Sequence, residues 1–345
     1  MGLNIREIVS RKDLDVAELK GKVVCVDAFN VLYQFLSTIR QADGTPLRDD
    51  NGNITSHLSG IFYRNLSLLS EGVKMVYVFD GEPPRLKEKI HEVRGNLRNA
   101  AKEKYEKARM GEDLDEMKRY SSQLIRLEDE MIEESKELLQ ALGICVIQAP
   151  SEGEAEASYL SRKEGIYGVV SQDYDSLIFG APVLIRNLTV SRKKRTPSGY
   201  IEVKPEKIIL SDFLSELNIN QDQLISLAIL VGTDYNPKGI PRIGQKKALK
   251  IVQEFKTPEK IFESVKDKIN ELPEKDKFDW EVIFSLLRAP KTKDFDIKFP
   301  QIDFEKIKEI LVERHQFSEE RVNNQIDKLV GLKKTKNQKS LNKWF

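Results

Sequence analysis

Four apolar runs in this chain stop on an aspartate: Val23 to Asp27, Val76 to Asp80, Val169 to Asp173 and Ile229 to Asp234. Each has the length and composition of a buried strand. Helical patterns lie between them, so strand-like and helical segments alternate from residue 20 to about residue 235. That alternation predicts an α/β fold, a mostly parallel central sheet with helices on both faces. In such a sheet the carboxyl ends of the strands share one edge, and ligands gather there. Seven acids fall at that edge: Asp27, Asp80, Glu152, Glu154, Asp173, Asp175 and Asp234. So many like charges in one place repel strongly unless cations neutralise them. Two hard divalent ions need about this many oxygen ligands.

Taken singly, each acid has an ordinary alternative. Asp173 and Asp175 are two apart; on a strand they share a face and reach one ion, but the same spacing suits an Asx-rich turn. Ser151 and Glu154 have capping-box spacing, which accounts for Glu154 without an ion. For Glu152 and Glu154 to converge, Glu152 must stand at the very first turn of the helix. Asp27, Asp80 and Asp234 each suit a turn or a helix N-cap. The argument for a common site is collective. No other catalytic apparatus competes: His57, His91 and His315 lack metal spacing and are expected at the surface or in helices, and no phosphate-cradling glycine loop joins a strand to a helix.

Lys+Arg 56 against Asp+Glu 55 gives a net charge of +1, so any basic surface must be local. Cys25 and Cys145 both lie in apolar runs and are expected to be buried thiols, not a disulfide. No stretch reads as a transmembrane helix or a secretory leader. Residues 1–330 are expected to form one catalytic domain. Within it, 1–84 and 127–256 carry the sheet, 85–126 is a polar insertion, and 257–330 is helical. Residues 331–345 form a flexible basic tail.

The insertion begins at Pro83-Pro84. From Arg85 to Arg109 it holds nine Lys/Arg and four Asp/Glu. Lys87, Arg94 and Arg98 fall nearly on one helical line, able to hold a phosphate beside Asp80; a solvated helix face is the plainer reading. Gly239 to Ala248 forms a second basic element. It reads as a helix-hairpin-helix within 225–256, with backbone N–H groups at Gly239 and Gly244 and the charges of Lys246 and Lys247 offered to a phosphate backbone. The usual Gly-hydrophobic-Gly has Arg242 in its first glycine place. Arg192 to Arg195 reads as a charged loop. Tyr33 lies shortly after Asp27, where an aromatic can stack on a base or pack in the core.

Val26-Asp27-Ala28-Phe29-Asn30 with Tyr33-Gln34-Phe35-Leu36, Phe79-Asp80-Gly81-Glu82-Pro83-Pro84, Ala149 to Ala155, Gln172-Asp173-Tyr174-Asp175 and Val231 to Tyr235 together resemble the flap endonuclease family of XPG-type nucleases, in its archaeal form. The resemblance runs from Gly2 to the last residue. It implies a 5′-nuclease (PIN-like) fold, a helical arch over roughly 85–126, and removal of 5′ single-stranded flaps at DNA junctions, with 5′-3′ exonuclease activity, in Okazaki fragment maturation and repair. It implies two Mg²⁺ ions, replaceable by Mn²⁺, on the seven acids, some through water. Lys87 and Arg94 then contact the scissile phosphate, Arg98 supports them, and Tyr33 stacks on the neighbouring base. Gly2 would lie near the site. Gln338, Leu341, Trp344 and Phe345 fit the clamp-binding pattern of relatives, implying the PCNA sliding clamp as partner; the alternative is an anchor packed on the domain. A monomer in the archaeal cytoplasm, or in the nucleus of a eukaryote, completes the expectation. A non-catalytic junction binder and an RNA-directed nuclease are the competing readings.

Overall fold

The computed structural model describes residues 3–41, 43–84, 100–101, 103–108, 110–111, 116, 120, 124, 126–190, 193–196 and 199–341, without the side chains of 193–196, 200 and 332–341. Lys87, Arg94 and Arg98, most of the expected arch, and Trp344 and Phe345 lie outside the described residues. So do Gly2 and His91.

Among the described residues seven strands form one sheet: β1 (Lys12–Asp13), β2 (Val23–Asp27), β3 (Lys74–Phe79), β4 (Cys145–Gln148), β5 (Ile166–Val170), β6 (Val183–Arg186) and β9 (Glu206–Ile209). Their order is β1-β9-β6-β5-β2-β3-β4. The five strands from β6 to β4 are mutually parallel, and β9 alone is reversed, pairing antiparallel with β6 on one side and with β1 on the other. The sheet is thus mixed but mostly parallel, as expected. The basic run at Arg192 is not a loop: β7 (Lys193–Thr196) and β8 (Gly199–Glu202) pair as a separate hairpin.

Alternation along β2 and β3 explains the two-sided core. Val24, Val26, Met75, Tyr77 and Phe79 point to one face. There they meet α1 (Ala28–Thr38), α2 (Ser56–Glu71) and α3 (Asp129–Ala141). Cys25, Val76 and Val78 point to the other. That face is covered by α4 (Gly153–Leu160) and by Phe295, Ile297 and Phe299 of an extended strap. Both cysteines are free and buried, as expected. A further cluster joins α5 (Asp175–Ile178), α6 (Leu210–Leu217), α7 (Gln221–Val231), α8 (Gln245–Phe255), α9 (Pro258–Glu263) and, beyond α10 (Lys266–Asn270), α11 (Trp280–Arg288).

Three expectations about local structure fail. The run ending at Asp234 is not a strand. It is the end of α7, in which Gln223 to Leu230 are all buried. A helix buried all round shows no amphipathic period and imitates a core strand. Residues 290–303, expected to be helical, are the extended strap. After α12 (Phe304–Lys308), α13 runs Glu319–Leu341, so the backbone is helical through 331–341, where a flexible tail was expected.

Of the histidines expected at the surface or in helices, His57 is helical, and His315, buried in a turn, is the fourth correction. His57 is buried in α2 with no exposure, and burial pushes its imidazole down to about 4. His315 is also buried. Its Nδ1 lies 2.8 Å from Asp49 Oδ2 and its Nε2 lies 3.0 Å from Glu134 Oε1. Carboxylates at both nitrogens hold an imidazolium that donates twice, tying α3 to the loop between α1 and α2. The Glu134 hydrogen bond raises the His315 pKa against the opposing effect of burial. Burial works to raise Asp49, but hydrogen bonds from His315 and Asn53 together lower it, and the His315 bond leads in lowering Glu134. A raised histidine stabilises fully below its ordinary value near 6.5 and loses that contribution as pH rises through the folded value. The two lowered carboxylates set the acid limit instead. His315→Gln is therefore expected to cost about 1–3 kcal/mol near pH 6. In urea titrations the gap to the parent protein should narrow at pH 9; a constant gap would show that the imidazolium charge is not what matters.

Candidate metal centre

The strand order creates the site. The chain runs from β2 outward to β3 and β4, then crosses to β5 on the opposite flank of β2. The connections therefore diverge between β2 and β5, and a crevice opens at the carboxyl ends of these two strands. Asp27 is the last residue of β2 and also the N-cap of α1, its Oδ1 accepting from the Asn30 backbone N–H at 3.1 Å. The N-cap and site readings are thus both true of one carboxylate. Asp80 follows β3, and its Oδ1 accepts from the Gly153 N–H at 2.6 Å. A Cβ on Gly153 would stand 2.9 Å from that oxygen, so only glycine lets the start of α4 come this close.

Glu152 is the N-cap of α4 with extended backbone (ψ 127°), and Glu154 lies in the first turn. This is the placement that convergence of the pair required. The capping box is overturned: no side chain caps α4, and the Ser151 hydroxyl donates to the Glu82 carbonyl. Glu154 Oε1 instead accepts from the Ser176 N–H at 2.9 Å and the Ser176 hydroxyl at 2.6 Å, across at α5. Asp173 and Asp175 also differ from expectation. They are not on a strand, since β5 ends at Val170; Asp173 sits in the bend and Asp175 opens α5. The Leu3 N–H donates to Asp175 Oδ1 at 2.8 Å, which brings the start of the described chain to the site.

Electrostatics joins the set. Burial, then the charges of Asp80 and Asp173, push Asp27 up to about 8. Burial raises Glu154 well above the carboxylate range, with Asp175, Asp27 and Asp173 adding to it. Burial and the nearby Asp234 are among the causes that raise Asp173. Tyr235 is raised by burial, by the charge of Glu152 and its hydrogen bond, and by Asp234 and Asp175. Six of the acids, Asp27, Asp80, Glu154, Asp173, Asp175 and Asp234, are thus linked through their charges, and Glu152 joins them through Tyr235. As they stand, no group of three His, Cys, Asp or Glu side chains among the described residues is arranged to hold an ion directly. The chemistry of the donors nonetheless fits hard divalent cations, since every acid offers only oxygen.

Tyr33 lies on α1 and is 39% exposed, which removes the core-packing alternative. Beyond α7, Gly239 takes φ +55° with its Cα against the Val231 carbonyl; a Cβ there would stand 2.3 Å from that oxygen. Arg242 adopts φ +63°, the left-handed backbone that a glycine usually supplies at this place in the motif. Gly244 is the N-cap of α8, and Lys246 and Lys247 stand in its first turn, Lys246 3.3 Å from Glu7. Sequence reasoning missed the polar shell that holds the acids: Asn30, Ser171, Ser176 and Arg186. Arg186 donates to the Tyr174 hydroxyl at 2.6 Å and the Gln172 carbonyl at 3.1 Å, bracing the bend that carries Asp173. The Asp27-x-x-Asn30 spacing was visible, but it is the spacing of any capped helix.

This sheet and acidic rim define an XPG-type nuclease core. The XPG N-terminal domain matches residues 3–101 and the XPG I-region matches 143–234. The chain is 47% identical to flap endonuclease 1 of Thermococcus onnurineus, across 100% of this chain and 99% of the relative. It is 46% identical to that of Pyrococcus furiosus, with the same coverage. The flap endonuclease-1 structure from Methanococcus jannaschii superposes with a TM-score of 0.74 at 38% identity, covering 97% of this chain and 100% of that one. The catalytic core of Rad2 in complex with DNA substrate shares the fold, with a TM-score of 0.69 at 21% identity, covering 95% of this chain and 100% of that one. The chain belongs to the flap endonuclease family, and with it to the structure-specific nucleases.

The raised Asp27 gives a prediction that needs no ion. A carboxylate whose folded pKa is raised destabilises increasingly as pH climbs from its unfolded value near 3.9 toward the folded value. In chelator, Asp27→Asn is therefore expected to raise the melting temperature, and more at pH 8 than at pH 5. Calorimetry showing no gain, or an equal gain at both pH values, would refute the repulsion.

Proposed function

We propose that this chain removes 5′ single-stranded flaps from DNA junctions by hydrolysis of one phosphodiester bond, with a pair of Mg²⁺ ions held by Asp27, Asp80, Glu152, Glu154, Asp173, Asp175 and Asp234. The observation that carries the proposal is the mutual field of these acids at one crevice. Such an arrangement is costly to a folded protein and is relieved by cations. Bound there, the pair of ions supplies the activation of water and the stabilisation of attacking and leaving oxygens. Mn²⁺ has the same preference for oxygen and can replace Mg²⁺.

The chain's own residues do the rest. Backbone and side-chain donors orient the carboxylates before substrate arrives, so little reorganisation is left for the reacting state. Tyr33, exposed on α1 just past Asp27, offers a face on which the base beside the scissile phosphate stacks. The N-terminus of α8, with Lys246 and Lys247, holds the duplex backbone without reading its sequence; the Gly239 N–H, expected to share in this, donates to the Asn236 carbonyl instead. Lys87, Arg94 and Arg98 belong to the proposed arch; Lys87 and Arg94 are assigned to the scissile phosphate by the family resemblance, and Arg98 by its spacing from them. Recognition of shape rather than sequence suits an enzyme of Okazaki fragment maturation and repair, working as a monomer on the chromosome. No helix among the described residues is long and apolar enough to cross a membrane.

The test separates a nuclease from a junction binder. With a labelled flap and Mg²⁺ the protein should cut; with EDTA, or as Asp175→Ala, it should bind the same DNA and leave it intact. Undiminished cutting by Asp175→Ala would remove that residue from the site. A flap strand of RNA, if cut as well as DNA, would favour the RNA-directed reading. The tail has its own test. Deleting Leu341 to Phe345 should leave basal cutting unchanged and abolish stimulation by a PCNA ring, whereas retained stimulation would show that Gln338, Leu341, Trp344 and Phe345 do not dock there.

A further inference from the structure

We propose that Asn30 is a positioning residue for the metal centre: its side-chain amide spans the crevice between β2 and β5 and fixes Asp173 relative to Asp27. The inference rests on the reading of the acids as cation ligands. Three contacts carry it. The Asn30 backbone N–H donates to Asp27 Oδ1 at 3.1 Å. Its Nδ2 donates to Asp173 Oδ2 at 3.0 Å. Its Oδ1 accepts from the Gln172 N–H at 2.9 Å. One residue therefore touches the acids on both sides of the switch point, and the bend between them as well.

The orientation of the amide is forced. The Gln172 N–H can only donate, so the atom facing it must be the carbonyl oxygen. That turns the NH₂ group toward Asp173, where a carboxylate oxygen can only accept. No flip satisfies both partners. The chemistry is also selective. A neutral donor orients Asp173 without cancelling its charge, so the carboxylate keeps its attraction for a cation. Lysine at this place would bring a competing positive charge, and aspartate a further repulsion. An apolar residue would leave Asp173 free to turn away from its neighbours, as repulsion favours. Ser171 supports the same bend from below, its hydroxyl accepting from the Asp173 N–H at 3.2 Å. It lies 3.4 Å from Asp27 Oδ2, a longer and weaker link than the amide.

Outer contacts of this kind are typically worth 10–100-fold in metal affinity or activity. Asn30→Leu keeps the branched outline and removes both side-chain hydrogen bonds. The expected result is about tenfold weaker binding of Mn²⁺ to the full-length protein without DNA, read by electron paramagnetic resonance of the free ion. The Mg²⁺ midpoint of flap cutting should rise by a similar factor, while the Kd for flap DNA in EDTA stays unchanged. Asn30→Ser, less demanding of the fold, should shift both midpoints in the same direction. Unchanged Mn²⁺ binding and an unchanged Mg²⁺ midpoint would overturn the proposal, whether the variants cut normally or lost activity only in step with their melting temperature. Asp175→Ala in the same assays keeps the two readings apart. If it too binds Mn²⁺ and cuts normally, the metal centre itself is wrongly placed; if it fails while the Asn30 variants behave as the parent, only the role of Asn30 falls.

Discussion

Repulsion between carboxylates organises this molecule more than any single attraction. Asp27, Asp80, Glu154 and Asp173 are brought together from separate elements, and their charges make Asp27 and Glu154 harder to ionise. Acids so close, with Asp27 buried and Glu154 and Asp173 half-buried, would ordinarily rotate outward. Here they are held by donors that carry no charge: the backbone N–H groups of Asn30 and Gly153, the amide of Asn30, and both donors of Ser176. Neutral donors hold the geometry and leave the negative charge in place. Arginine or lysine at those positions would satisfy the acids and abolish the need for an ion.

The fold supplies this arrangement cheaply because it reuses turns the sheet needs anyway. Asp27 ends β2 and caps α1 with the same side chain. Gly153 starts α4 where a Cβ would collide with Asp80. The crossing from β4 to β5 opens the crevice by topology alone. Strain appears instead at the α7–α8 turn, where Arg242 occupies a left-handed backbone at a cost of about 1–2 kcal/mol relative to glycine. That cost sits outside the acidic rim. It retains a cation beside the N-terminus of α8, which suits a surface proposed to meet phosphates.

How far the residues announced all this depends on the kind of signal. Continuous apolar runs that end on acids, with helical segments between them, are local patterns, so β2, β3 and β5 and the mostly parallel sheet were legible. The clustering of Asp27, Asp80 and Asp173 follows from topology once the strands are granted. The stretch before Asp234 was misread because a fully buried helix and a core strand share one composition. Glu154 was ambiguous for a different reason. Ser151-x-x-Glu154 matches a capping box, and only the contact with Ser176, twenty-two residues on, shows which partner wins. His315 gave no warning of burial, since its two partners, Asp49 and Glu134, lie 266 and 181 residues away in the chain. The polar shell was invisible throughout, because Asn and Ser near a helix start look alike whether they cap, turn or brace.

Two polar assemblies of opposite logic therefore stand on the same side of the sheet's chemistry. At His315, positive and negative groups meet, the hydrogen bonds are charge-assisted, and the structure is complete without a ligand. At the rim acids predominate, with Arg186 a cation that acts on Asp173, and the proposed ions complete the balance from outside. The first kind stabilises by itself and the second favours a ligand. A chain that gathers seven acids at one crevice, while holding His315 between two carboxylates elsewhere, sets its proposed site apart from its scaffold by charge balance. The neutral amide of Asn30 belongs to that distinction: it holds an acid in place at the rim and leaves the acid unpaid for a cation to neutralise.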